Sequence, residues 1–192
     1  LRDKLFRIYH PVFELKTKII FMSHCRLKML KISIIFGLFI VAAIVFLFVL
    51  GIISKSGTPP GLKEGKLSKC PDRPNCVCSE YAADTDHYAA PIILAKNITD
   101  NHVATLRAVI IEMGGKIISE KDYYLAATFT SALFGFIDDL ELRVDKAQNV
   151  IHIRSASRVG YGDMGVNRKR VEQLKDQFGQ SLNSERTENE KD

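Results

Sequence analysis

FIDDLELRVDKAQNVIHIRSA, residues 136–156, decides the fold. In its first half Leu140, Leu142 and Val144 alternate with Glu141, Arg143 and Asp145, the period of two that sends successive side chains to opposite faces of a strand. The pattern reads as a strand with one apolar and one wet face. DKAQN, residues 145–149, is a natural hairpin connection, and VIHIRSA resumes the strand pattern beyond it. Upstream stand two more runs of this kind, KIISE (116–120) and YYLAATFTS (123–131), and a further strand is expected near Tyr88 to Leu94.

Helical patterns flank the strands. In NITDNHVATLRAVIIEMGG (97–115), Thr99 or Asp100 is placed to cap a helix that sets Val103, Leu106, Ile110 and Met113 on one face and stops at Gly114 and Gly115. A second helix is expected from Asp163 to Phe178, with Val171, Leu174 and Phe178 on one side and Asn167 falling among them. The order strand, helix, four strands, helix predicts an α+β domain, a mainly antiparallel sheet covered by two helices.

The 192-residue chain has room for one such domain and an attached segment. Four Cys, no Trp and 26% charged residues exclude a disulfide-dense mini-protein, a collagen-like chain and a wholly disordered one. The domain is expected over residues 67–178. Before it lies a linker with Gly and Pro (54–66), and after it a polar tail (179–192) read as disordered.

Ahead of the linker, ISIIFGLFIVAAIVFLFVLGII (32–53) carries no charge, Pro, Asn or Gln. As a helix it rises about 33 Å, close to the thickness of a bilayer's hydrocarbon core, and it reads as one transmembrane helix. A cleaved signal peptide would have a shorter apolar core and a small-residue cleavage site. A lipoprotein signal would need a small residue just before the acylated Cys, whereas Cys70 follows Lys69 and lies well past the run. Because Leu1 rather than Met opens the chain, Met22 and Met29 are expected as alternative starts.

The net charge of +5 is unevenly spread. Residues 1–53 carry eight Lys and Arg against two acids, a net of +6, and residues 54–192 carry 19 against 20, a net of −1. With no excess positive charge on the domain, nucleic acid is not the expected partner. The basic segment 1–31 is expected in the cytoplasm and the domain across the membrane, periplasmic or otherwise outside the cytoplasm.

Three segments carry candidate chemistry. CPDRPNCVCSE (70–80) groups Cys70, Cys76 and Cys78. In an oxidising compartment Cys70 and Cys76 can close a small disulfide loop; a redox pair and a soft-metal site are the alternatives, the latter lacking a spaced fourth ligand. RSASRVGYGDMGVNRKRVE (154–172) gathers Arg154, Arg158, Arg168 and Arg170 with Gly160, Gly162 and Gly165, a set suited to an anionic ligand or a partner. The competing reading pairs these arginines with Asp138, Asp139 and Glu141 as internal ion pairs. Asp138 points among the apolar residues of its strand and needs an Arg from the later segment. SALFGFI (131–137) sets Leu133, Phe134 and Phe136 around Gly135; they are expected to fold inward and plug one end of the core, with lipid or partner contact as the alternative.

CPDRPNCVCSE, FTSALFGFIDDLELRVD and RSASRVGYGDMGVNRKRVE resemble the three signature blocks of the domain-of-unknown-function family numbered 1499, in the same order and over nearly all of residues 67–178. The resemblance implies a protein found in bacteria or photosynthetic eukaryotes, often behind a membrane or export segment, and it implies no activity. It points to Cys70 and Cys76 as the family pair, because Cys78 stands where the family usually has Ser.

The functional expectation is a single-pass, membrane-anchored, non-catalytic binding or accessory module without cofactor or metal. It would bind an anionic ligand or a membrane-protein partner through Arg154, Ser155, Ser157, Arg158, Tyr161, Asp163, Asn167, Arg168 and Arg170. The alternatives are an enzyme using Asp138, Asp139, Glu141 and His152, and a thiol-redox protein using the Cys-rich segment.

Overall fold

The four strand-like runs fold as a meander, each pairing antiparallel with the next. The computed structural model describes residues 2–95 and 98–189, with side chains described from Arg26 onward apart from those of residues 185, 186, 188 and 189. In chain order the elements are α1 (Arg2–Lys55), β1 (Leu62–Lys63), β2 (Lys66–Leu67), β3 (Cys76–Cys78), β4 (Ile92–Ile93), α2 (Asp100–Glu112), β5 (Lys116–Lys121), β6 (Tyr124–Thr130), β7 (Ile137–Asp145), β8 (Val150–Ser157) and α3 (Val166–Asn189). Contacts divide the chain into two units, Leu1–Leu47 and Phe48–Asp192.

The first unit is helix. Residues Arg26–Lys55 of α1 are long and apolar enough to cross a membrane, with a mean hydropathy of 3.1 in the window that qualifies. The side chains of the basic residues before Arg26 lie outside the described set.

The second unit holds the sheet, in the order β3-β8-β7-β6-β5, with β4 pairing β8 as well. Register places Leu140 opposite Ala127 and Ser155, and Leu142 opposite Leu125 and Ile153. The apolar face so formed packs on Leu106, Val109 and Ile110 of α2 and on Val171, Leu174 and Phe178 of α3. α2 starts at Thr99, whose backbone N–H donates to His102 Nδ1 at 2.9 Å. The α+β class with two helices on a mainly antiparallel sheet is therefore the observed architecture.

The other face departs from expectation. It is not wet: Glu141 is 0% exposed, Asp139 3% and Arg154 7%. The cover is the chain between residues 54 and 81, so the segment read as a linker is bonded to the sheet. Its Glu64 and Gly65 take positive φ (53° and 75°) to turn the β1–β2 hairpin. Leu67 then packs with Cys70, Cys76, Cys78 and Ala156, and with Tyr81 and Tyr124 at the rim. Gly61 N–H donates to Glu141 Oε1 at 2.9 Å.

The end of α1 is held as well. Ser54 Oγ accepts from Ile137 N–H at 3.1 Å, and Arg158 donates to the carbonyls of Ser54 and Gly57. Gly51 is needed there, because a Cβ would collide with the carbonyl oxygen of Phe134.

Two more expectations are corrected. α3 runs on through residues 179–189, which the polar composition assigns to a disordered tail. No Pro interrupts it, Leu182 packs against the core, and Ser181 Oγ bonds the Gln177 carbonyl; residues 190–192 lie outside the described set. The SALFGF loop does not plug the core: Leu133 is 71% exposed, and the Phe134 ring meets Phe48 of α1 edge-on at 5.3 Å.

Glu141→Leu strands Arg154 and the Tyr124 hydroxyl, and should lower the unfolding free energy by about 3–5 kcal/mol. Gly61 N–H loses its acceptor too, so adding Arg154→Met and Tyr124→Phe removes two of the three stranded donors and should restore part of that loss. Urea unfolding of the full chain in detergent measures it; a loss under about 1 kcal/mol for Glu141→Leu alone would mean that this charged layer is not structural.

Candidate functional site

The arginine-rich segment is the turn from β8 into α3. Asp163 shapes it, with Oδ1 accepting from Gly165 N–H (2.9 Å) and Oδ2 from Asn167 N–H (2.8 Å), satisfying donors that the start of a helix leaves open. Asn167, fully buried, is its hub. Nδ2 donates to the carbonyl of Asn75 (3.0 Å), to Ser157 Oγ (3.0 Å) and to Asp163 Oδ2 (2.8 Å), while Oδ1 accepts from Ser155 Oγ and Arg170 Nη1, both at 2.6 Å. The polar residue on the apolar side of α3 thus joins the residue ahead of β3, β8 and the turn.

Three arginines of the segment meet Asp138, Asp139 and Glu141, three of the four carboxylates of β7. Arg154 Nη1 donates to Glu141 Oε2 at 2.8 Å, beside the Tyr124 hydroxyl on Oε1 at 2.8 Å. Burial first, and the Glu141 charge after it, hold the Tyr124 phenol well above its usual pKa. Arg158 grips Asp139 through Nε at 3.0 Å and Nη2 at 2.7 Å. On the helix-covered face Arg170 Nη2 bonds Asp138 at 2.7 Å, with its guanidinium 4.6 Å from the Phe129 ring centre. Arg168 reaches outward and donates to the carbonyls of Tyr88 (2.8 Å) and Asp86 (3.0 Å).

The Cys-rich segment lies next to this turn. Cys70 and Cys76 form a disulfide, with both residues buried. Cys78 is buried and unpaired, and burial pushes its thiol up to about 11, so it carries no thiolate at neutral pH. His87 ties the loop down, with Nδ1 on Asp84 at 2.8 Å and Nε2 on the Arg73 carbonyl at 2.9 Å. Between the loop and the turn opens a cleft of about 430 Å³, lined by Asp72, Arg73, Pro74, Asp86, His87, Tyr161 and Arg168 among others. Tyr161 is 73% exposed and Met164 95%.

The acidic residues and His152 do not converge. Asp138 faces α3, Asp139 and Glu141 face the hairpin, and His152 Nδ1 lies 3.2 Å from Ser79 Oγ and 4.0 Å from Glu80. Burial holds the His152 ring below its usual pKa. Among the described residues no group of three or more His, Cys, Asp or Glu is placed to hold a metal ion.

Sequence reasoning missed Tyr124, Gly61, Glu80 and His87 as members of these networks, and Met164 as an exposed residue of the turn. The three acids of β7 matched by later arginines were the available signal. Glu80, bonded to Arg143 at 2.6 Å from 63 positions away, had none.

Residues 66–178 match the family model described as Protein of unknown function (DUF1499). No curated protein and no solved structure matches the chain. The matched stretch runs from β2 to the buried Phe178 and takes in the disulfide loop, the sheet and the arginine-rich turn. It is more than half of the 192 residues, and the chain belongs to that family.

Proposed function

We propose that the chain is a single-pass, non-catalytic accessory module whose domain stands outside the cytoplasm and engages a membrane-protein partner through the turn at residues 159–165. The observation that carries this is Met164. It is 95% exposed and sits at φ 54°, a left-handed conformation that costs a non-Gly residue about 1–2 kcal/mol. An exposed side chain held in such a backbone adds nothing to the core. Tyr161 is displayed beside it, and Tyr, Met and Arg are enriched where proteins meet. A partner is favoured over an anion because Arg154, Arg158 and Arg170 are each held by an internal carboxylate that an anion would have to displace. The orientation is supported by the +6 charge ahead of the apolar run and by a disulfide, which persists in oxidising compartments.

Orientation is tested by counting thiols in cells acid-quenched and alkylated in denaturant. Two, Cys25 and Cys78, should react without reduction and four after it. Four reacting without reduction would place the domain in a reducing compartment.

For the partner, a photoreactive phenylalanine at position 161 in native membranes should give one discrete heterologous cross-link. Met164→Gly suits the left-handed backbone and should leave the domain as stable or up to about 1 kcal/mol more so, while lowering that cross-link several-fold. An unchanged cross-link in Met164→Gly would make the turn architecture alone.

The cleft wall should respond to pH through His87, whose pKa is raised above 6.5 chiefly by its hydrogen bond to Asp84. Protonated His87 donates from both nitrogens; the neutral ring donates from one. Its stabilisation is therefore complete below 6.5 and is lost as pH rises through the raised folded value. The wild-type melting temperature should fall across that window relative to His87→Gln, and parallel curves would show that this staple contributes nothing.

A further inference from the structure

We infer that the loop Ser131–Phe136 is a second membrane contact, immersed in the interfacial layer of the same bilayer that the apolar run crosses. The inference rests on the reading that residues 32–53 span the membrane, and goes beyond it by adding part of the folded domain to the lipid contact.

Depth follows from the fastening. Phe48 lies within the apolar run, five residues before its end at Ile53, about 8 Å along a helix axis. The Phe134 ring packs on Phe48 at 5.3 Å, and Phe136 packs on Phe134 at 6.0 Å. Gly51 admits the Phe134 carbonyl against the helix, and Ser54 Oγ accepts from Ile137 N–H just past the loop. Arg158 fixes the last carbonyls of α1 to Asp139. The loop therefore stands at the level of the final turns of the run.

The loop suits that place. Ser131 N–H donates to the Phe136 carbonyl (2.8 Å), Phe136 N–H to Ser131 Oγ (2.9 Å) and Gly135 N–H to the Ser131 carbonyl (3.1 Å). Those polar groups are closed within the turn, which lipid requires. Leu133 is 71% exposed, and Val49, Ile52 and Ile53 of α1 are exposed as well. Lys55 lies beside Gly135, a cation at headgroup depth with its stem along apolar surface.

The chain has no Trp, so single substitutions give clean fluorescent reporters. Full-length Leu133→Trp, with Ala132→Trp as a second exposed position, is reconstituted into phosphatidylcholine vesicles carrying lipids brominated at shallow acyl positions. Ile44→Trp reports the span and Tyr161→Trp the aqueous domain. A group buried about 5–10 Å into the interface should lose emission about twofold or more, with little quenching by aqueous acrylamide, while Tyr161→Trp behaves the other way. Acrylamide quenching of both loop variants with lipid quenching of Ile44→Trp would overturn the loop contact alone. Loss of lipid quenching at Ile44→Trp as well would overturn the span reading and the loop contact together.

Discussion

A carboxylate taken out of water must keep its partners, and Glu141, fully buried, is where that requirement falls hardest. Its oxygens are met from three directions: Arg154 on β8, Tyr124 on β6 and the backbone N–H of Gly61. Gly61 is 80 positions away and belongs to the stretch between α1 and the β1–β2 hairpin. Asp139 repeats the arrangement one step along the strand, since its partner Arg158 goes on to the carbonyls of Ser54 and Gly57. These two acids draw the chain leaving α1 onto the sheet. The apolar cluster beneath it, Leu67 with three cysteines and Ala156, packs in the same layer.

What such pairs contribute is better described as register than as strength. A buried ion pair adds little net stability over apolar residues of the same volume, because desolvation offsets the attraction. A shift of one residue in the β7–β8 pairing, however, would turn Glu141 toward α2 and α3, and Leu140 and Leu142 toward the hairpin. Three carboxylates would then lie away from their arginines at once.

Local pattern made the strands, the hairpin at residues 145–149, the α2 cap and the apolar side of α3 legible. It failed where one pattern has two physical causes. Alternation of Leu with Glu, Arg and Asp looks the same whether the polar side meets water or a covering segment that returns its charges. The cover could not be read because Gly61, Ser54 and Glu80 act over long separations with no periodicity. Leu133 and Phe134 misled in another way: the loop is apolar because of α1, and only the position of Phe48 beside it reveals that. The polar residues 179–189 are helical because Leu182 and the preceding turns extend a helix already anchored at Leu174 and Phe178.

Arg158 links the two outward-facing features. It leaves the sheet at the register pair Asp138–Ser157, where β7 begins and β8 ends, and its backbone N–H donates to the Ile137 carbonyl. The SALFGF loop enters β7 and the Tyr161–Met164 turn leaves β8 at that same end. Its guanidinium meanwhile meets the carbonyls at the C-terminus of α1, the end whose dipole favours a cation, so one side chain holds the helix end, the loop base and the turn base together. A helix end fastened at this point brings the base of the displayed turn beside the last residues of α1. For the partner proposed above, a turn whose base is fastened in this way has less freedom to lose on association than one on a free linker.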